Sequence, residues 1–428
     1  MRIITILLLL AGFSATAQEF KMGKVSMEEL QQKFHPADTS APAAILFKRG
    51  KSFFEITSDR WFLVTEVEAR IKIYKKEGYQ FANEEIDYYT GGLSVKLYFT
   101  DAYTYNIVGG KIEKTKLRSD GEFDEKVNEN VSLKKIVMPN VKEGSVIEYK
   151  YVIKSPYFHE VNDWYFQYPI PANNVSFEMA VPVYFDYNRY LAGYVPVEQS
   201  APANRWGVAS NFEEVYTIYS AKNIKALKQE AYVGNVRNYL SILKHELAAV
   251  KMKNQEPKYY STDWEAVSKK IYTHDDFGKQ LGYKDYFAKD IDPLLKGATT
   301  NEQKMMVVYN FVKDRMNWNE NNRLFCDKGV KKAYEARVGN SSEINIMLTS
   351  MLRYAGLNAN PVLVSTRSNG VALYPTIAAY NYVIAALKTD NGFVLLDATS
   401  KNALPNVLPV RTLNWVGRLI QQDGSTVE

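Results

Sequence analysis

The chain has 428 residues, 46% of them hydrophobic, which suffices for roughly two or three domains with ordinary cores. Its 53 basic and 48 acidic residues leave a net charge of +5 without a basic block, which argues against nucleic acid or an anionic membrane as the main partner. The single cysteine, Cys326, excludes an intrachain disulfide framework, and no Cys/His/Asp cluster has metal-ligand spacing, so neither a metal nor a cofactor is expected.

Residues 1–17 read as an export leader: Arg2 supplies the positive end, Ile3 to Leu10 a short apolar run, and Ala15-Thr16-Ala17 a small-x-small cleavage site. The run is too short to span a bilayer, and no later stretch is apolar enough to do so, so a periplasmic or otherwise exported protein without a transmembrane segment is expected. Residues 18–52, with a Pro/Ala/Ser-rich middle, read as a strap or linker.

From residue 53 to about 250 the period is two. Val67, Ala69, Ile71 and Ile73 alternate with Glu66, Glu68, Arg70 and Lys72, which predicts a strand with one face in the core and one in water. Val95, Leu97 and Phe99 repeat the device, and so does Ser145 to Ile153. Gly109-Gly110 sits between strand-like segments as a hairpin turn. The sum is an antiparallel β domain, a sandwich or open barrel. Trp164, Tyr165 and Phe166 within it suit core packing better than a ligand groove. Residues 239–250 are ambiguous, because Leu240, Leu243, Leu247 and Val250 fall at helical spacing.

Residues 256–428 read as an α+β core. Capping boxes are expected at Thr262 to Glu265 and at Thr299 to Glu302, each opening a helix. The strongest helix runs from Gly339 to Gly356. Asn340 is its N-cap, Glu343 reaches back to close the box, and Ile344, Met347, Leu348, Met351, Leu352 and Ala355 draw one apolar stripe. Asn360 to Ser365 is a strand, and Tyr380 to Ile384 with Gly392 to Asp397 makes a hairpin. Asp423-Gly424 is a turn signal, yet only Ser425 to Glu428 follow, too few for a return strand.

Gly339, Glu343, the helix end Leu352 to Leu357, Pro361 to Ser365 and Leu396-Asp-Ala-Thr399 together resemble the transglutaminase-like branch of the papain-like fold. The resemblance implies a Cys–His–Asp triad, and two of its positions differ here. Ser341 stands where the family has its nucleophilic Cys, and Tyr382 stands where it has His; only the acid, Asp397, is kept. It further marks Trp318, Glu343, Arg367 and Asn381 as candidate cleft residues, with Arg367 on a lip where it could hold a carboxylate, although a solvated or structural role is preferred for it. The simple core role is preferred for Trp318. Met138 to Tyr149 and Trp164 to Pro171 resemble a domain of unknown function that precedes such cores in exported bacterial proteins, and whose own chemistry is not established.

The replaced pair bears on function. A thiolate works because imidazolium and a helix end lower its pKa, whereas Ser needs a general base. Tyr, with a solution pKa of about 10, is a poor base at neutral pH. The four histidines, His35, His159, His245 and His274, all precede the core's site segment. Loss of nucleophile or base costs on the order of 10⁶ in turnover. The leading expectation is a non-catalytic exported protein whose cleft binds a peptide, a glycan or an envelope protein. The alternatives are an acyl-transfer enzyme or amidase with Ser341 as nucleophile, and a purely structural envelope component. Cys326 is expected as a half-exposed spectator thiol on a loop.

Overall fold

The computed structural model describes residues 20–58, 60–127, 130–207, 212–231, 233–260, 263–421 and 426–427. The expected leader and its cleavage site lie outside them. The protein is a mixed α+β molecule with a β-rich N-terminal region. By contact it divides into two units, one drawn from the segments Met1–Phe158, Gln167–Ala180 and Pro196–Ala226, the other from His159–Phe166, Val181–Val195 and Leu227–Glu428.

In the first unit the described residues build a nine-stranded sheet. Its centre is the long hairpin of Ala43–Thr57 and Arg60–Ile73, followed outward by Val146–Ser155 and Lys96–Val108, all antiparallel. Ala43–Thr57 also pairs in parallel with Ala172–Pro182. A separate three-stranded sheet combines Glu84–Tyr89, Val131–Ile136 and Glu122–Lys126. Gly109 and Gly110 turn Lys96–Val108 into Lys111–Lys116 with φ of +56° and +78°, a pair of left-handed positions that suits a tight hairpin.

Two features of this unit depart from the sequence expectation. The first strand begins at Ala43, inside the segment expected as linker. The second concerns the face expected in water. Val67, Ala69, Ile71 and Ile73 are buried as predicted, but Arg70 and Lys72 on the opposite face are buried too. The cause is the strap ahead of the strands, which ends in the short helix Met27–Gln31, capped by Ser26 and Glu29. Its Leu30 packs against Tyr105 and Val146. Arg70 donates to Glu148 at 2.8 Å and 2.5 Å, to Glu29 at 2.7 Å and to the Lys21 carbonyl at 2.8 Å. Glu148 also accepts from the Tyr105 hydroxyl and the Gly23 amide. Lys72 donates to the Leu30 and Gly144 carbonyls. Period-two patterning reports which face is polar and says nothing of whether a strap covers it.

The second unit holds a four-stranded sheet in which Ile242–Val250 pairs with Phe185–Ala192, Trp164–Tyr165 and Lys258–Tyr259. The ambiguous segment is thus a strand, with Leu243, Leu247 and Ala249 on its buried face. Behind it in sequence come the helices Trp264–Tyr272 and Asn301–Arg315. Both caps sit one residue later than expected: Asp263 caps the first, and Thr300 with Gln303 forms the box of the second. Thr262 lies outside the described residues. The helix Ser341–Tyr354 follows, capped by Asn340 and Glu343 as predicted and stopped at Gly356, whose φ is +83°. It is buried almost throughout and packs on Ala359–Val364 and Tyr382–Thr389 of a five-stranded sheet. Leu419 and Ile420 pair with Val427 and Thr426, so a two-residue return strand does form at the C-terminus.

Arg70→Met should lower the unfolding free energy of the first unit by about 3–5 kcal/mol in a denaturant titration, because it strands Glu148 as a buried unpaired charge. Burial holds the Lys72 ammonium down at about 8 against its usual 10.5. Between those values the unfolded chain keeps a proton that the folded one has lost, so stability rises with pH across the window. The stability of wild type relative to Lys72→Met should therefore grow from pH 8 to pH 10; a flat difference contradicts this assignment.

Candidate functional site

The site is assembled on the second unit by the opening turn of the helix Ser341–Tyr354, the strand Tyr382–Thr389, the end of the strand Gly392–Leu396 and the segment after it. At its centre is Asp397, whose side chain is fully buried. Such a carboxylate must be met by donors, and it is. Asn345 Nδ2 donates to Oδ1 at 2.9 Å, as do the Thr399 amide at 3.0 Å and the Thr399 hydroxyl at 2.7 Å. The Tyr382 hydroxyl donates to Oδ2 at 2.9 Å. Asn345 also donates to the Val383 carbonyl and accepts from the Ala398 amide, so one side chain fastens the helix to the strand Tyr382–Thr389 and to the segment that follows Gly392–Leu396. Tyr309 adds a bond to the Asp397 carbonyl.

Of the three positions marked by the sequence, a hydrogen bond joins Tyr382 to Asp397, whereas the Ser341 hydroxyl is bonded to neither. The Ser341 hydroxyl is buried, accepts from the Arg323 amide at 2.8 Å and donates to the Arg323 carbonyl at 3.0 Å. It holds a loop. Glu343 is likewise structural: one oxygen accepts from the Asn340 amide, the other from the Lys328 amide at 2.7 Å. Asn381 exchanges hydrogen bonds with Thr366, and the exposed Arg367 donates to the Leu413 carbonyl. Cys326, expected half-exposed, is buried among Val267, Ile271, Phe277 and Val330, and burial pushes its thiol well above the usual range.

Sequence reading missed Arg411. Its Nη2 donates to the Tyr382 hydroxyl at 3.1 Å and to the Thr399 hydroxyl at 2.5 Å, and it lies 3.9 Å from Asp397 Oδ2. Its guanidinium carbon is 4.1 Å from the Trp318 ring centroid and 5.5 Å from that of Tyr382. Trp318 is half-buried, pairs through its backbone with Gly339, and donates its indole N–H to the Asn321 carbonyl. The only sequence signal for Arg411 was a lone basic residue among Pro409, Val410 and Leu413. Burial and the neighbouring Asp397 carboxylate push the Tyr382 phenol far up, away from the range of a base.

A cavity of about 780 Å³ opens elsewhere in the same unit, between the strand Ile242–Val250 and residues 369–379. Its walls carry both signs of charge, with Asp163 and Lys244 already paired at 2.8 Å, and it reaches none of Ser341, Tyr382 and Asp397.

Replacing Asn345 by Ala should cost more than replacing Tyr382 by Phe. The first removes one donor to Asp397 and leaves two buried backbone groups unmatched, about 3 kcal/mol or more; the second removes one hydroxyl, about 1–2 kcal/mol. Equal losses in equilibrium denaturation would contradict the central position given to Asn345.

Residues 289–398 match the model of the transglutaminase-like superfamily. No curated protein matches the chain. Among solved structures, a provisionally named protease from Parabacteroides distasonis superposes with a TM-score of 0.62 at 14% identity, over 90% of this chain and 71% of that one. A provisionally named cysteine protease from Cytophaga hutchinsonii gives a TM-score of 0.22 at 10% identity, over 62% of this chain and 79% of that one. The first likeness speaks for the fold alone. The chain therefore carries a transglutaminase-like superfamily domain over residues 289–398.

Proposed function

We propose that the protein is an exported, non-catalytic member of the transglutaminase-like group, a pseudoenzyme that works as a binding or scaffolding module in the cell envelope for a peptide, glycan or protein partner. The observation that carries this reading is the state of the two positions where the family resemblance expects Cys and His. Ser341 spends its hydroxyl on the Arg323 backbone, and Tyr382 is a phenol locked between Asp397, Thr399 and Arg411.

The chemistry supports it from three sides. A serine in a helix's first turn needs a base to lose its proton, and the phenol here is held further from ionisation than in water. The sequence has no histidine after His274. The one thiol, Cys326, is buried and held protonated by that burial. Export rests on the leader read at residues 1–17; among the described residues, no helix is long and apolar enough to cross a membrane.

The test is an activity measurement on purified protein, with a fluorogenic amide and with a glutamine-peptide plus amine pair. Both rates should equal the buffer rate, and Ser341→Ala should leave them unchanged. Turnover that disappears in Ser341→Ala would establish the acyl-transfer alternative instead.

A further inference from the structure

We propose that Arg411 and Trp318 form a recognition site for a carboxylate-bearing peptide, with the carboxylate meeting the unbonded amine of Arg411 and an adjoining apolar side chain resting beside the indole. The proposal rests on the non-catalytic reading of this site and names the ligand chemistry that it would take.

The guanidinium is already oriented. Trp318 covers one face of it, and Nε and Nη2 are turned onto the hydroxyls of Tyr382 and Thr399. Nη1 has no hydrogen-bond partner among the described residues, and the side chain keeps 28% of its surface. Asp397 forms an ion pair with this guanidinium but leaves Nη1 unbonded. It lies 3.9 Å from Nη2, beyond hydrogen-bond reach, and takes its donors from Asn345, Thr399 and Tyr382. A cation held over an indole, with two of its nitrogens hydrogen-bonded and a donor amine left over, loses little freedom when it binds an anion. Its weak hydration favours a planar carboxylate over water.

The surroundings argue for an apolar neighbour to that carboxylate. Val410, Leu413 and Trp415, which flank Arg411 along the chain, all present exposed apolar surface, and Trp415 keeps φ at +63°, a left-handed position that an indole side chain seldom takes. A peptide offers carboxylates from two sources, its own C-terminus and acidic side chains, and both carry the same recognisable group.

The proposal is tested by calorimetric titration of the full chain with three N-acetylated peptides: Ala-Leu-Ala with a free C-terminus, the same peptide as its amide, and Ala-Leu-Glu-Ala amide. The free acid or the glutamate peptide should bind roughly ten-fold or more tightly than the plain amide, the size of a charge-assisted hydrogen bond. Whichever of the two binds names the source. Arg411→Met should abolish the preference for acid over amide. Because that change also disturbs Tyr382 and Thr399, Trp318→Leu serves as the second variant: it leaves those bonds in place, lowers the melting temperature through lost core packing and the lost indole bond to Asn321, and should weaken the acid at temperatures where the variant is fully folded. Equal binding of acid and amide, or binding of none of the three, overturns the proposal. Amide turnover dependent on Ser341 is the separate result that would sink the non-catalytic reading.

Discussion

A buried carboxylate organises the C-terminal unit. Asp397 is sealed from bulk solvent, so the chain must surround it with donors or neutralise it. It does both: Arg411 stands at ion-pair distance, and the hydrogen-bond donors come from the helix, from the strand bearing Tyr382 and from the turn at Thr399. Each donor fixes one more piece of the fold. Asn345 cannot serve Asp397, Val383 and Ala398 together unless helix and hairpin hold one spacing. The apolar packing around it supplies most of the stability, but packing tolerates small shifts that this hydrogen-bond set does not.

Much of that unit was legible from residues alone. The helix Ser341–Tyr354 announced itself because its signals agree: a cap, a box, an apolar stripe and a glycine stop. Elsewhere local signals were close but displaced. Thr299 and Thr300 are adjacent capping candidates, and the side chain three residues on decided between them, with Gln303 closing the box. The strand Ile242–Val250 carries leucines that fit either period over so short a run, and its three strand partners settled the matter.

The site was half legible. Motif spacing put Ser341, Tyr382 and Asp397 on one list, since the resemblance treats them as a triad. Spacing could not say that the serine hydroxyl would find a backbone partner first, in the Arg323 loop. Nor could it bring in Arg411, which reaches the cluster from the single 3-10 turn Val410–Thr412 beyond the matched region. Long polar side chains arriving from loops leave no periodic trace. The same limit hid the contacts of the strap in the N-terminal unit, whose Glu29 and main-chain carbonyls meet Arg70 and Lys72.

The buried state of Cys326 has a practical consequence. It is the sole thiol in the sequence, sealed among aliphatic and aromatic side chains and disinclined to ionise. The native protein should thus be nearly silent toward maleimide and iodoacetamide reagents. A cysteine introduced at any chosen surface position would then carry a dye or spin label by itself, with no need to mutate the original away.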